Sequence, residues 1–157
     1  MTGPGPDLVD LACWHTAIAA AALEIATYAL GSCTAEVSAA VEMDATGLIG
    51  AHLPLLGGPH ALEIALVGTP DNCRALAAAM LQTTTPESLS VADIADAVGE
   101  TLNMIGGIVK RRVGNELEIG LPVVMIGHIR TTERISVTVP AKFGTIQMYV
   151  QLIGRRS

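Results

Sequence analysis

Between positions 90 and 114 the chain carries the signature of one long amphipathic helix. Ser90 and Asp93 have the spacing of a capping box, in which each side chain accepts a hydrogen bond from the other residue's backbone N–H. Three basic residues at 110–112 suit the negative end of a helix dipole, and Gly114 is typical of a helix end. At 100° per residue one apolar stripe forms: Val91, Ile94, Val98, Leu102, Ile105 and Val109. A helix over 91–112 with such a stripe requires a second layer of structure to bury it.

The rest of the chain supplies that layer as short alternating segments. Thr69 and Pro70 predict a second helix start, a capping hydroxyl followed by proline at the first helical position. An Ala-rich, helix-favouring stretch precedes the strands and ends at Gly31. The pattern predicts helices over 7–30 and 70–81, and strands over 34–43, 47–55, 61–68, 116–126, 134–139 and 145–153.

This order of elements contains a repeat. A helix and three strands occur twice, and a shift of about 83–86 residues superimposes the two halves, residues 7–83 and 88–154. We therefore expect an α+β fold, with a pseudo-two-fold, antiparallel-rich sheet packed against three helices. Residues 7–157 are predicted to form a single domain after a flexible Pro/Gly leader, residues 1–6.

Composition excludes several classes of protein. Half of the 157 residues are apolar but only four are Trp, Tyr or Phe, and the net charge is −6. This composition opposes both disorder and nucleic-acid binding. The most apolar segment, 8–30, is interrupted by Asp10, His15 and Glu24, which argues against a membrane span, and the first basic residue is Arg74, which argues against a signal peptide. We expect a soluble, cytoplasmic protein.

The cysteines and histidines have no spacing typical of a metal or redox site. Cys13, Cys33 and Cys73 lie far apart without a CxxC pair, so we expect buried small side chains in a reducing compartment. The four histidines lie on different predicted elements, so no metal site is expected on this chain.

The solvent-facing side of the helix over 91–112 carries the candidate chemistry. Glu100 and Asn103 lie three residues apart and are therefore neighbours on that surface. One turn further, Gly106 and Gly107 leave the helix bare at a cost of about 1 kcal/mol each relative to Ala. Two explanations remain open from spacing alone: close approach of a partner, or tight packing of the helix against a neighbouring strand.

Residues 93–110 read DIADAVGETLNMIGGIVK, and IGLPVVMIG follows at 119–127. This pattern resembles the CheC/CheX/FliY family of chemotaxis phosphatases, in particular its CheX-like single-site branch. Eight helix positions match the family pattern, and Pro122 and Gly127 match in order and spacing; Ile108 departs from it, because the family commonly has Asn there. The matching helix positions are Asp96, Ala97, Gly99, Glu100, Asn103, Met104, Gly107 and Lys110.

The resemblance implies a phosphatase that hydrolyses the aspartyl phosphate of a CheY-like receiver domain. The resemblance also implies that Asn103 would orient the attacking water and that Glu100 would pair with a receiver lysine. Asp96, Gly106, Gly107 and Lys110 would belong to the docking surface. The receiver would bring Mg²⁺, and this chain would need no cofactor and would form a homodimer. Aligned by terminal glycines, the first helix places Ala17 and Ala20 near the positions of Glu and Asn, which implies one site rather than two.

Two other classes of function remain as alternatives. The chain could be a non-catalytic module that binds a receiver or a flagellar component, in which case binding would occur without turnover. It could instead be an unrelated α+β domain with an apolar ligand pocket.

Overall fold

The computed structural model describes residues 6–28, 36–39, 49–56, 61–83, 85–113, 118–121, 123–126, 134–141 and 144–155. Within these ranges the helices are α1 (Pro6–Tyr28), α2 (Pro70–Leu81) and α3 (Val91–Val113), with a short 3-10 helix at Pro86–Ser88. The strands are β1 (Glu36–Ala39), β2 (Ile49–Leu56), β3 (Ala61–Gly68), β4 (Glu118–Ile119), β5 (Val123–Ile126), β6 (Arg134–Ala141) and β7 (Gly144–Arg155).

The strands form one antiparallel sheet on which the helices pack. Its order is β1-β6-β7-β3-β2-β4, and β5 also pairs with β2. Every pairing is antiparallel. The α+β class and the antiparallel sheet with three helices are thus confirmed.

The sheet has the pseudo-two-fold arrangement that the sequence repeat predicts. β3 and β7 pair at the centre, where Leu66 lies opposite Val150. Ala51 pairs with Leu66 in the first half, and Ile135 pairs with Val150 in the second. Each position of the first pair corresponds to the position 84 residues later. The outer strands cross between the halves, because β1 pairs with β6 whereas β4 and β5 pair with β2.

Two predicted elements have the bounds that the sequence indicates. β3 spans Ala61–Gly68 and α2 spans Pro70–Leu81. The Thr69 hydroxyl accepts a hydrogen bond from the N–H of Asn72 at 3.1 Å, as expected of a helix cap. Residues 1–5 of the expected leader, and the expected helix ends at Gly31 and Gly114, lie outside the described residues.

The single strand predicted over 116–126 is wrong, because this segment forms β4 and β5 instead. Ile119 pairs with Leu55, and Val123 pairs with His52. The register with β2 therefore shifts by one residue between these two pairs, as it does at a β-bulge. The extra residue shifts the register and interrupts the strand.

The core lies between the sheet and the helices and consists of aliphatic side chains. α1 contributes many alanines, which let it lie close to α3. The largest fully buried side chains of this core are Ile18, Leu53, Ile64, Leu76, Leu102 and Val109. No Trp, Tyr or Phe is among the described buried residues, consistent with the four aromatic residues of the whole sequence.

Residues next to Leu53 and Ile64 along β2 and β3 lie on the other face of the sheet, and two of them form a polar pair. His52 Nδ1 lies 3.3 Å from Glu63 Oε2, within ion-pair distance but without the geometry of a hydrogen bond. Both side chains are largely buried. A buried charge of this kind requires a partner to offset its lost hydration.

Candidate functional site

Helix α3 begins with the capping box that its sequence predicts. The backbone N–H of Ser90 donates to the Asp93 carboxylate at 3.0 Å, and the N–H of Asp93 donates to the Ser90 hydroxyl at 3.1 Å. The first of these bonds, with a smaller effect of the Ser90 side chain, lowers the pKa of Asp93. The helix is thus fixed at its first turn.

The predicted apolar stripe of α3 is buried except at its first residue. Val91 is 77% exposed, because it opens the helix at a point beyond the core. Thr101 is also buried, and its hydroxyl donates to the carbonyl of Ala97 at 2.7 Å. The buried members of the predicted stripe are Ile94, Val98, Leu102, Ile105 and Val109. A broad buried face therefore holds α3 against the sheet and α1.

The opposite face of α3 presents the candidate residues to solvent. Asp96, Glu100 and Asn103 are exposed, and Lys110 is half-buried. Glu100 and Asn103 are separated by about 4.5 Å along the helix axis and about 60° around it. Neither side chain forms a hydrogen bond or ion pair with another described residue. Both are therefore free to meet a partner from a rigid base.

The two adjacent glycines of α3 face different surroundings. Gly106 is buried, and a Cβ there would collide with Leu53 Cδ2 and lie 3.7 Å from Ile119 Cγ2. Gly107 is half-buried, and a Cβ there would meet nothing within 4 Å. The two sequence-based explanations thus apply to different residues: Gly106 permits tight packing on β2 and β4, whereas Gly107 leaves open space one turn beyond Asn103.

The basic residues at the end of α3 lie in its last turn, as predicted. Arg111 and Arg112 are exposed, whereas Lys110 is half-buried. Cations at this end interact favourably with the helix dipole. The acidic residues of the exposed face precede Asn103, and the basic residues follow it.

Helix α1 carries no Glu–Asn pair at the positions equivalent to the α3 site. The shift of 84 seen in the sheet places Thr16 and Ala19 opposite Glu100 and Asn103. Ala17 and Ala20, which the sequence places near these positions, each lie one residue further along, and Ala17 is buried whereas Glu100 is exposed. The offset of one residue arises because the glycines after the two helices, and not their buried faces, were aligned.

The structure also presents a residue that the sequence reasoning missed. Leu121, in the bulge between β4 and β5, is 84% exposed. The Leu-Pro step inside an otherwise apolar run is the one sequence signal that could have indicated it.

Among the described residues, no cluster of three or more His, Cys, Asp or Glu side chains is arranged to hold a metal ion. No helix in the described part of the chain has both the length and the apolar character needed to cross a membrane.

A comparison with protein families matches residues 49–142, more than half of the chain, to the family described as chemotaxis phosphatase CheX. The chain belongs to the CheX family. The matched range runs from β2 through α3 to β6 and includes Glu100 and Asn103. A search of curated proteins finds no match.

Solved structures share the fold of this CheX-family chain at low sequence identity. A chemotaxis protein CheX from Desulfovibrio desulfuricans is 16% identical, with a TM-score of 0.63, over 90% of this chain and 99% of that one. CheX from Vibrio vulnificus is 17% identical, with a TM-score of 0.64, over 89% of this chain and 99% of that one. A chain of the CheX-CheY-BeF3-Mg²⁺ complex from Borrelia burgdorferi is 14% identical, with a TM-score of 0.69, over 91% of this chain and 98% of that one.

Proposed function

We propose that this CheX-family protein accelerates hydrolysis of the aspartyl phosphate on a CheY-like receiver domain. The observation that carries the proposal is the pair Glu100 and Asn103, exposed one turn apart on a helix whose opposite face is buried. The family match and the solved CheX-CheY complex of Borrelia burgdorferi support the choice of partner.

Asn103 is proposed to hold the attacking water. Its amide can donate one hydrogen bond and accept another, which orients a water without supplying a competing nucleophile. The water oxygen forms a bond to phosphorus as the bond from phosphorus to the receiver's aspartate oxygen breaks. The products are inorganic phosphate and the receiver's free carboxylate, and the water proton passes to phosphate or solvent. Phosphoryl transfer depends mainly on such positioning and on electrostatics.

Glu100 is proposed to pair with a lysine of the receiver. Its carboxylate is exposed one turn before Asn103, so an ion pair there would fix the depth and direction at which Asn103 enters the receiver's site. Mg²⁺ would be supplied with the receiver, and no metal or cofactor on this chain is part of the proposal.

The remaining candidate residues are proposed to shape the docking surface. Asp96 lies one turn before Glu100, and Lys110 lies near the end of the helix, so both flank the central pair. Gly107 gives the partner room to approach. Gly106 faces the core, so its contribution is indirect, through the close seating of α3 on the sheet.

The proposal is tested by phosphate release from a panel of phosphorylated, Mg²⁺-loaded receiver domains. We expect Asn103→Ala to lower kcat by about 10²–10³, the scale observed when a positioned polar group is removed from a transition state. Glu100→Ala should weaken receiver binding, which the beryllofluoride-loaded receiver measures directly. The matched control is Glu87→Ala, which removes an exposed carboxylate outside α3. Unchanged rates in the Asn103 variant would contradict its role.

A second candidate function is a non-catalytic module that binds a receiver or a flagellar component. The FliM middle domain of Vibrio alginolyticus has the same fold, with a TM-score of 0.57 and 12% identity, over 92% of each chain. This function predicts binding without phosphate release, and Asn103→Ala would leave binding unchanged.

We further propose that the protein is a cytoplasmic homodimer. Within the described sheet, β6 and β7 lie inside, so pairing through a strand edge would have to use β1 or the β4–β5 side. Light scattering should give about twice the chain mass of 16.2 kDa. A species of 16.2 kDa at all concentrations would exclude the dimer.

A further inference from the structure

The bulge between β4 and β5 lies beside the candidate site. The N–H of Gly120 donates to the carbonyl of Pro54 at 2.9 Å, so the ladder with β2 continues to that point. It resumes at Val123, opposite His52. Leu121 therefore follows the last residue of this ladder, at the point where the register shifts. Bulges redirect side chains and are common next to functional sites.

Contacts of α3 locate this bulge relative to the helix. Ile119, two residues before Leu121, lies next to Gly106, with Cγ2 and Cδ1 at 3.7 and 3.8 Å from the place of a Cβ there. Leu53 of β2 also lies against Gly106. β4 thus lies beside α3 at Gly106, one turn after Asn103.

Leu121 is the most exposed large apolar side chain in the described part of the chain. It is 84% exposed, compared with 77% for Val91 at the start of α3, 54% for Leu81 and 38% for Leu23. A single exposed leucine is ordinary on a protein surface. Leu121 differs because it lies where the register shifts, on the β4–β5 edge of the described sheet, two residues after Ile119, which lies against Gly106 of α3.

We propose that Leu121 is an apolar docking contact for the receiver domain that α3 engages. The inference rests on the proposed function and adds to it a contact outside the helix and outside the chemistry. The receiver is favoured as the occupant because Gly106, against which Ile119 lies, is one turn after Asn103 on α3. A globular partner centred on Asn103 therefore extends over the β4 side of the helix, where Leu121 is exposed. A contact far from phosphorus stabilises the bound substrate and the transition state equally, so it lowers KM without raising kcat.

The test compares Leu121→Ser with Leu121→Met and with the matched control Leu81→Ser, which removes an exposed leucine at the end of α2. The full chain is assayed for phosphate release from phosphorylated receiver domains, and for binding to the same receivers loaded with beryllofluoride. Thermal unfolding and light scattering are measured on each variant.

We expect Leu121→Ser to raise KM and the dissociation constant about tenfold, with kcat within about twofold of wild type. Leu121→Met should remain near wild type because it keeps the apolar contact, and Leu81→Ser should also match wild type. Unfolding temperatures should be the same for all three.

Other results would overturn the inference. If Leu121→Ser and Leu81→Ser behave alike, or if kcat falls while KM is constant, Leu121 is not a docking contact. If Leu121→Ser converts a dimer to a monomer, the side chain lies between copies of this chain instead. If wild type dephosphorylates receivers and loses this activity with Asn103→Ala, a neutral Leu121→Ser refutes only this inference. If the wild-type protein shows neither turnover nor binding, both the proposed function and this inference are refuted.

Discussion

The adjacent glycines of α3 allow a matched experiment on helix packing. Alanine at either position gains about 1 kcal/mol of helix propensity. At Gly107 nothing opposes that gain, because a Cβ there meets open space. At Gly106 the new methyl must displace Leu53 Cδ2, in a side chain that is fully buried. Overpacking of this kind costs about 1–3 kcal/mol.

Since the propensity gain is common to both variants, their difference isolates the packing cost at Gly106. Gly107→Ala should raise the free energy of unfolding by up to about 1 kcal/mol, which for a chain of this size is about 2–4 °C in Tm. Gly106→Ala should be neutral or destabilised by up to about 2 kcal/mol. Urea unfolding followed by far-ultraviolet circular dichroism measures both.

A double variant identifies the clash itself. Leu53→Val removes the Cδ2 methyl, so Gly106→Ala in that background should be stabilising instead of destabilising, a coupling that a double-mutant cycle detects. Equal stability changes for the two alanine variants, or no coupling with Leu53→Val, would refute this account of the glycines.

The same pair also tests the docking surface. Gly107→Ala places a methyl in the gap beyond Asn103, so the more stable variant should dephosphorylate the receiver more slowly. A stabilised Gly107→Ala with wild-type activity would show that the gap is not used by the partner.

Three further predictions concern the described residues. Asp93→Ala should lower Tm at pH 7, and this loss should shrink as the pH falls below the usual carboxyl pKa of 3.8, because the lowered pKa of Asp93 means that its stabilising charge is complete above that pH and is lost on protonation. Ser90→Ala should cost about 1 kcal/mol at pH 7. A loss in the Asp93 variant that does not depend on pH would contradict the cap. Burial raises the pKa of the Cys73 thiol to about 12. Peptide mapping should therefore find Cys73 unmodified by iodoacetamide in the native protein at pH 8 and alkylated in urea. Rapid labelling of the native protein would contradict the burial of Cys73. Glu63→Ala should cost about 1–3 kcal/mol because it removes the polar group that lies 3.3 Å from the largely buried His52 Nδ1. A double-mutant cycle with His52→Ala that shows no coupling would rule out a contribution from the pair.

Local chemistry made much of this fold predictable. The cap at Thr69, the box at Ser90 and the apolar period of α3 each act within a few residues, so helix starts and the exposed Glu100–Asn103 face could be read from the sequence. The repeat likewise predicted the symmetry of the sheet, because both halves have the same order of elements.

The errors fell where distant residues decide the outcome. The bulge at Leu121 depends on the register with β2, which no local pattern specifies. The different surroundings of Gly106 and Gly107 depend on Leu53, about fifty residues earlier in the chain. The counterpart of Glu100 on α1 was misplaced by one residue because buried faces, and not terminal glycines, set the equivalence.

The crossing of the outer strands has a consequence for how the protein folds. Each half forms its own pair of strands, β2 with β3 or β6 with β7. The outer strand of each half pairs with the other half: β1 with β6, and β5 with β2. The arrangement is a strand exchange within one chain, so neither half can complete its part of the sheet alone. To complete the sheet, β1 must pair with β6, which lies about a hundred residues later in the chain. Such non-local pairings slow folding. The halves should therefore unfold as one cooperative unit, and a chain divided between them would regain α3 in its working position only when both pieces associate.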